Sequence, residues 1–180
     1  AKLKMSGIEA VKSSTPYACR EKIKEALNVV MNGNESEFHS FIKETKNEFR
    51  KLPFEDIAFP RSVSDINKFR DRLHIYGKGT PIHVRGALLF NSLVNKHKLE
   101  KKYELIQNGN KVKFCYLKLP NPIQENVLAI NNILPKEFKL EKYIDYQLQF
   151  EKAFLEPLNI IVDKINWTTE KVNTLEGFFS

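Results

Sequence analysis

Stretches in which apolar residues recur every three or four positions alternate along the chain with stretches broken by proline, glycine and asparagine. Cys19, Ile23, Ala26, Leu27 and Val30 share one helical face, and Ser13, Ser14 and Thr15 before Pro16 make a hydroxyl-proline start. Asn32 and Gly33 end the pattern, with Gly33 suited to a left-handed cap, so a helix is predicted over 16–31. A second stripe of Phe38, Phe41, Ile42, Thr45, Phe49 and Leu52 runs from Asn34 to Pro53. The two helices predict an antiparallel hairpin. Thr80 and Pro81 repeat the start signal, and Ile82, Leu88, Leu89 and Val94 lead to a basic end at Lys96, His97 and Lys98, which predicts a third helix.

Elsewhere the pattern is weaker. Residues 2–11 alternate loosely around Gly7 and predict a short strand or extended lead-in, with Lys2 and Lys4 on one face. Residues 54–78 contain Pro60 and Gly77 and read mostly as connection, with a short helix over 64–69. Residues 103–106 and 112–117 flank Asn108 and Gly109, the turn pair that predicts a β-hairpin. Asn121, Pro122 and Pro135 punctuate a mixed stretch. A long buried helix is then predicted between Tyr143 and Ile165, kinked or broken by Pro157. With no internal repeat and no convincing linker, the expected class is α+β, mainly helical, with a small β-hairpin and an extended N-terminal lead-in.

Composition narrows the picture. The 180 residues suit one core, and 42% hydrophobic with 11% aromatic content, including thirteen Phe, is too apolar for a disordered chain. Lys and Arg number 29 against 22 Asp and Glu, a formal charge of +7. Such a field attracts polyanions, which makes nucleic acid the first partner to consider; solvated lysines that only aid solubility are the alternative. Cys19 and Cys115 lack knuckle or redox spacing and are expected to be buried apolar residues. His39, His74, His83 and His97 form no ligand pair, so no metal site is expected. The absence of a long apolar run and of a signal peptide disfavours membrane spanning and secretion, and points to a reducing intracellular compartment. The chain starts at Ala1 rather than Met, and is expected to be a piece of something longer.

Two basic clusters carry candidate chemistry. The first joins Lys2, Lys4 and Lys12 to the hydroxyls of Ser13 and Ser14 at a helix start, all groups that bind phosphate oxygens; ordinary helix capping is the competing reading. The second gathers Lys78, Thr80, His83 and Arg85 around Gly77 and Gly79 near the next helix start. No Walker loop, no nucleophile with a supporting base and no close acidic pair for two metal ions is present. No catalytic residue is assigned.

These same segments resemble the family B DNA polymerases of large tailed phages. Residues 2–9 followed by Lys12-Ser13-Ser14-Thr15-Pro16 are similar to that family's passage from palm to first thumb helix. Residues 81–91 resemble its thumb motif Pro-aromatic-His-Ile-Arg-Gly with a following Asn, and Asn121-Pro122 recurs. Asp145-Tyr146 and residues 150–158 resemble the long C-terminal thumb helix; the family pattern carries a lysine where this chain has Glu156, while Lys152 matches. The resemblance implies a thumb over 1–166, of which 1–12 lead in from the palm, and a tail over 167–180. It implies sugar-phosphate contacts to a primer-template duplex by Lys2, Lys4, Lys78, His83, Arg85 and Lys152. It further implies that Leu175, Phe178 and Phe179 form a terminal peptide docking on the phage sliding clamp, against the alternative that they fold back on the domain. Palm and fingers of a parent polymerase would be partners, in the cytoplasm of an infected host cell. The polymerising aspartates and their magnesium would lie upstream, leaving no cofactor and no catalytic residue in this piece. A free-standing basic module that coats duplex or bridges polymerase and clamp, and a naturally split polymerase chain, are the rival readings.

Overall fold

In the computed structural model, which describes residues 11–70 and 79–170, the chain divides into two compact units: Ala1–Leu52 with Phe150–Ser180, and Pro53–Gln149. The predicted strand over 2–11 lies outside the described residues but for its last position.

The first unit is built on a helical hairpin. Helix α1 (Tyr17–Asn32) buries Cys19, Ile23, Ala26, Leu27 and Val30, the face the sequence predicts, against α2 (Glu35–Phe49). Asn34 caps α2, its side chain accepting the Glu37 N–H at 2.9 Å, and Phe38, Ile42, Thr45 and Phe49 are buried. Gly33 does not take the left-handed conformation expected of it: φ is −125° and ψ −163°. Space explains the glycine instead, because a Cβ there would lie 2.9 Å from the Val29 carbonyl oxygen and 2.6 Å from the Glu37 carboxylate.

The remainder of this unit comes from the C-terminal helical run, which the sequence predicts as one kinked or broken helix. Helical turns do follow one another without a gap, from α6 (Tyr146–Phe150), most of which belongs to the second unit, through a π-helical turn (Glu151–Leu155) and α7 (Glu156–Val162) to a final 3₁₀ turn (Asp163–Ile165), with the distortion just ahead of Pro157. The chain passes from one unit to the other at Phe150. Pro157 lacks the N–H that an α-helix requires of it; the wider turn just before it, closed by the Glu156 N–H on the Glu151 carbonyl, lets the helix continue. Aromatic packing closes the unit. Phe150 meets Phe49 edge-on at 5.1 Å, Phe38 lies 5.9 Å from Trp167, and His39 Nε2 is 2.8 Å from the Thr168 carbonyl.

The second unit is a three-stranded antiparallel sheet, ordered β1 (Phe59–Ser62), β2 (Lys111–Tyr116), β3 (Val127–Ile130). Short helices α3 (Phe54–Ile57) and α4 (Ile66–Arg70) precede and follow β1, the latter close to the predicted 64–69. Strand β1 falls where the sequence predicts connection. Its Pro60 is tolerated because β1 is an edge strand, pairing on one side only, with Phe59 opposite Phe114.

The predicted hairpin is corrected in a related way. The Asn108-Gly109 turn forms, with Gly109 at φ +86°, but residues 103–106 are not a strand. The buried Asn91 side chain takes both backbone groups of Ile106: Oδ1 accepts its N–H at 2.7 Å and Nδ2 donates to its carbonyl at 2.9 Å. With those ladder groups occupied, β2 pairs with β1 and β3 instead.

Helix α5 (Ile82–Lys96) packs on β3. Gly86 permits the approach, since a Cβ there would sit 2.7 Å from the Ala129 nitrogen. Gln149, fully buried, donates to the Ile57 carbonyl at 2.8 Å and accepts the Tyr116 N–H at 3.1 Å, tying α3 and β2 to the last residue of this unit. Both cysteines are buried, as expected, and desolvation pushes the Cys19 thiol up to about 12.

Candidate nucleic-acid interface

Of the first cluster, Lys12, Ser13 and Ser14 lie in a tight turn ahead of α1. The Lys12 N–H donates to Thr15 Oγ1 at 3.0 Å, and the Thr15 N–H returns to the Lys12 carbonyl at 3.0 Å. Arg20, one helical turn on, donates from Nε to the Thr15 carbonyl and from Nη2 to the Ser13 carbonyl, both at 3.1 Å. Lys12 and Ser13 remain exposed, and Ser14 is half-exposed. No serine caps the helix: the residue at its N-cap is Pro16, at φ −54° and ψ 142°. The proline therefore stands one position outside the helix, not at its first residue. Lys2 and Lys4 lie outside the described residues.

The second cluster repeats that offset, with Pro81 at the N-cap of α5 at φ −57° and ψ 143° and no side-chain cap from Thr80. Thr80 Oγ1 is enclosed and has no hydrogen-bond partner among the described residues. Gly79 has φ +107°, a conformation that favours glycine. Lys78 lies outside the described residues.

Arg85 is engaged within its own unit. Its Nη2 donates to Asn126 Oδ1 at 2.8 Å, and its Nη1 lies 3.7 Å from Glu125 Oε2. Burial raises the Glu125 carboxyl above the usual carboxylate range, and Arg85 pulls it back. Arg85 thus secures the loop between β2 and β3, which Asn121 also organises through bonds to the Lys118 and Glu125 carbonyls at 2.9 and 2.7 Å. Much of the motif over 81–91 is architectural: Gly86 sets the helix-to-sheet distance, Asn91 holds Ile106, and Arg85 anchors a loop.

His83 is half-exposed, as are Ile82 and Arg85. Its pKa is held below the ordinary histidine value by burial first and by the nearby Arg61 second, with the Ser62 backbone opposing. Arg61 escapes sequence reading because β1 does. Its guanidinium lies 5.5 Å from the Phe59 ring centre and 5.4 Å from that of Phe114, and burial lowers its pKa. Lys152, in the π-helical turn, is half-buried. Leu175, Phe178 and Phe179 lie outside the described residues.

Charge is divided unevenly between the units. Residues 53–149 hold sixteen Lys and Arg against ten Asp and Glu, whereas the other unit holds thirteen against twelve. The net +7 is therefore +6 in the sheet-bearing unit and +1 in the helical one. Because the helical unit joins both ends of the chain, this asymmetry is invisible to a linear scan. Among the described residues no group of three or more His, Cys, Asp or Glu side chains gathers to hold a metal, and no helix is long and apolar enough to cross a membrane.

The fold defines a mainly helical α+β protein with a basic, sheet-bearing unit. No protein-family model matches the chain. It is 29% identical, over 98% of its length, to the DNA-directed DNA polymerase of Enterobacteria phage T4. It is likewise 29% identical, over 99% of its length, to the DNA-directed DNA polymerase of Escherichia phage RB69. The chain spans about one fifth of the length of these curated relatives, so it is similar to a segment of phage DNA polymerases.

Proposed function

We propose that this chain is the thumb of a family B phage DNA polymerase and that it holds the primer-template duplex by its sugar-phosphate backbone. The observation that carries the reading is the end-to-end similarity to two phage polymerases. The charge surplus in residues 53–149 supports it, because a net +6 on one unit favours a polyanion over a neutral partner. Lys2, Lys4, Lys12, Ser13, Ser14, Lys78, Thr80, His83 and Lys152 are the proposed contacts. Arg85 belongs with them as the residue that holds the neighbouring loop, and a phosphate contact of its own would compete with Glu125 and Asn126. Contacts of this kind fix the register of a duplex without reading its sequence.

Within the parent enzyme, the grip would slow dissociation and keep the primer terminus aligned with upstream catalytic residues and their magnesium. Leu175, Phe178 and Phe179 are proposed to dock on the sliding clamp. The fragment itself is proposed to contribute no catalytic group.

Fluorescence anisotropy with a primer-template tests the reading. The native chain is compared with a variant carrying Lys2→Gln, Lys4→Gln, Lys78→Gln and Lys152→Gln. Each lost phosphate contact lowers the slope of log affinity against log salt by about 0.9, so the variant binds more weakly and its slope falls by about 3.6. Unchanged affinity and slope would remove these lysines from the interface.

A further inference from the structure

One basic patch on the sheet-bearing unit lies outside the duplex contacts named above. Leu117 and Ile144 form an antiparallel bridge, flanked by the Lys118 N–H on the Tyr143 carbonyl at 2.7 Å and the Asp145 N–H on the Tyr116 carbonyl at 3.0 Å. Leu117 and Ile144 are both buried. Side chains alternate across such a pairing, so the neighbouring pair, Lys118 and Tyr143, stands on the opposite, outward side. Lys118 is exposed and Tyr143 half-exposed. Lys142, also exposed, places Nζ 5.3 Å from the centre of the Tyr143 ring, and the next residue after Lys118, Leu119, is 59% exposed. The tyrosine ring thus has a lysine on its own segment and another on the segment paired with it.

The acidic neighbours do not neutralise these lysines. Asp145 Oδ1 accepts the Leu148 N–H at 3.0 Å, capping the helix that follows, and among the described residues neither Asp145 nor Glu141 forms an ion pair with Lys118 or Lys142. An aromatic ring and an exposed leucine beside two exposed lysines that form no ion pair among the described residues suit a ligand with both phosphates and accessible base faces. A duplex hides its base faces in the stack; a single strand exposes them.

We propose that Lys118, Leu119, Lys142 and Tyr143 bind unpaired nucleotides of a DNA single strand, with a base against the Tyr143 ring and phosphates at the two lysines. This site shares no residue with the proposed duplex contacts, although Lys118 and Leu119 lie in the loop that Arg85 and Asn121 hold.

The test measures anisotropy of the full chain with labelled oligodeoxythymidylate, with an abasic strand of the same length and with a blunt duplex. Tyr143→Ala weakens oligodeoxythymidylate binding by about fivefold or more, the effect of losing one stacked base. It leaves the abasic strand and the duplex unaffected. Tyr143→Phe keeps the ring and restores binding, which separates stacking from loss of fold. Lys118→Gln with Lys142→Gln, both at exposed positions, lowers the single-strand salt slope by about 1.4. Equal binding of oligodeoxythymidylate by native chain and variants overturns the site, as does equal binding of the thymidylate and abasic strands by the native chain. Loss of duplex binding alone would count against the thumb reading and leave this site standing.

Discussion

The two units of this chain solve stability and charge differently. The helical unit is closed by aromatic rings, Phe38 on Trp167 and Phe49 on Phe150, and is nearly neutral. The sheet-bearing unit is tied by buried amides, Asn91 on Ile106 and Gln149 on Ile57 and Tyr116, and carries almost all of the surplus positive charge. Even so, its one motif arginine, Arg85, is turned inward onto Glu125 and Asn126, whereas Lys12 in the neutral unit is exposed. Net charge and available charge are thus separate properties. A basic motif read from sequence has to be discounted for the acids it pairs with in space.

That contrast can be attacked at its strongest point first. Phe38→Ala empties a fully buried site in the aromatic core and is expected to destabilise the helical unit by about 3–5 kcal/mol, measured by urea denaturation. A loss under about 1 kcal/mol would mean that these rings are not what holds the unit. In the sheet-bearing unit, Asn91→Leu leaves the Ile106 N–H and carbonyl without partners and is expected to cost about 2–4 kcal/mol, with faster amide exchange at Ile106. A neutral result would reduce the buried-amide description to coincidence.

Arg85→Met sharpens the point about inward charge. Burial raises the folded-state pKa of Glu125, so the folded protein holds that proton more tightly than the unfolded chain, and this stability is present at low pH and lost as pH rises through the folded value. Arg85 opposes the loss. Removing it is therefore expected to cost about 1–2 kcal/mol near pH 7 and less near pH 4, where Glu125 can take up a proton. An equal cost at both values would show that Asn126, not the charge pair, is what Arg85 serves.

The smallest effect belongs to His83. Its pKa is depressed, so stability is present above the ordinary histidine value of about 6.5 and is lost as pH falls through the folded value. His83→Gln should flatten the decline in melting temperature on mild acidification. An unchanged profile would place the titration elsewhere.

The helices were legible because each rests on a local stripe: Cys19, Ile23, Ala26, Leu27 and Val30 are buried in the first and Phe38, Ile42, Thr45 and Phe49 in the second, while Phe41 and Leu52 of the predicted second stripe stay half-exposed. What was illegible depends on distant partners. Strand β1 contains a proline and exists because β2, some fifty residues on, pairs with it. Residues 103–106 look like a strand, yet Asn91 occupies the backbone groups of Ile106. Pro157 reads as a helix break, and a π-helical turn absorbs it. For the candidate interface, the motif positions were legible but their division of labour was not. Nothing in the sequence distinguishes an exposed Lys12 from an Arg85 facing Glu125, and Arg61 beside His83 comes into view only once β1 is paired.

The most direct test of the central claim is the affinity of the native chain for two blunt duplexes of unrelated sequence across a salt series. A backbone grip predicts equal affinities, both falling steeply and in parallel as salt rises. A strong preference for one duplex, or affinity that does not change with salt, would contradict it.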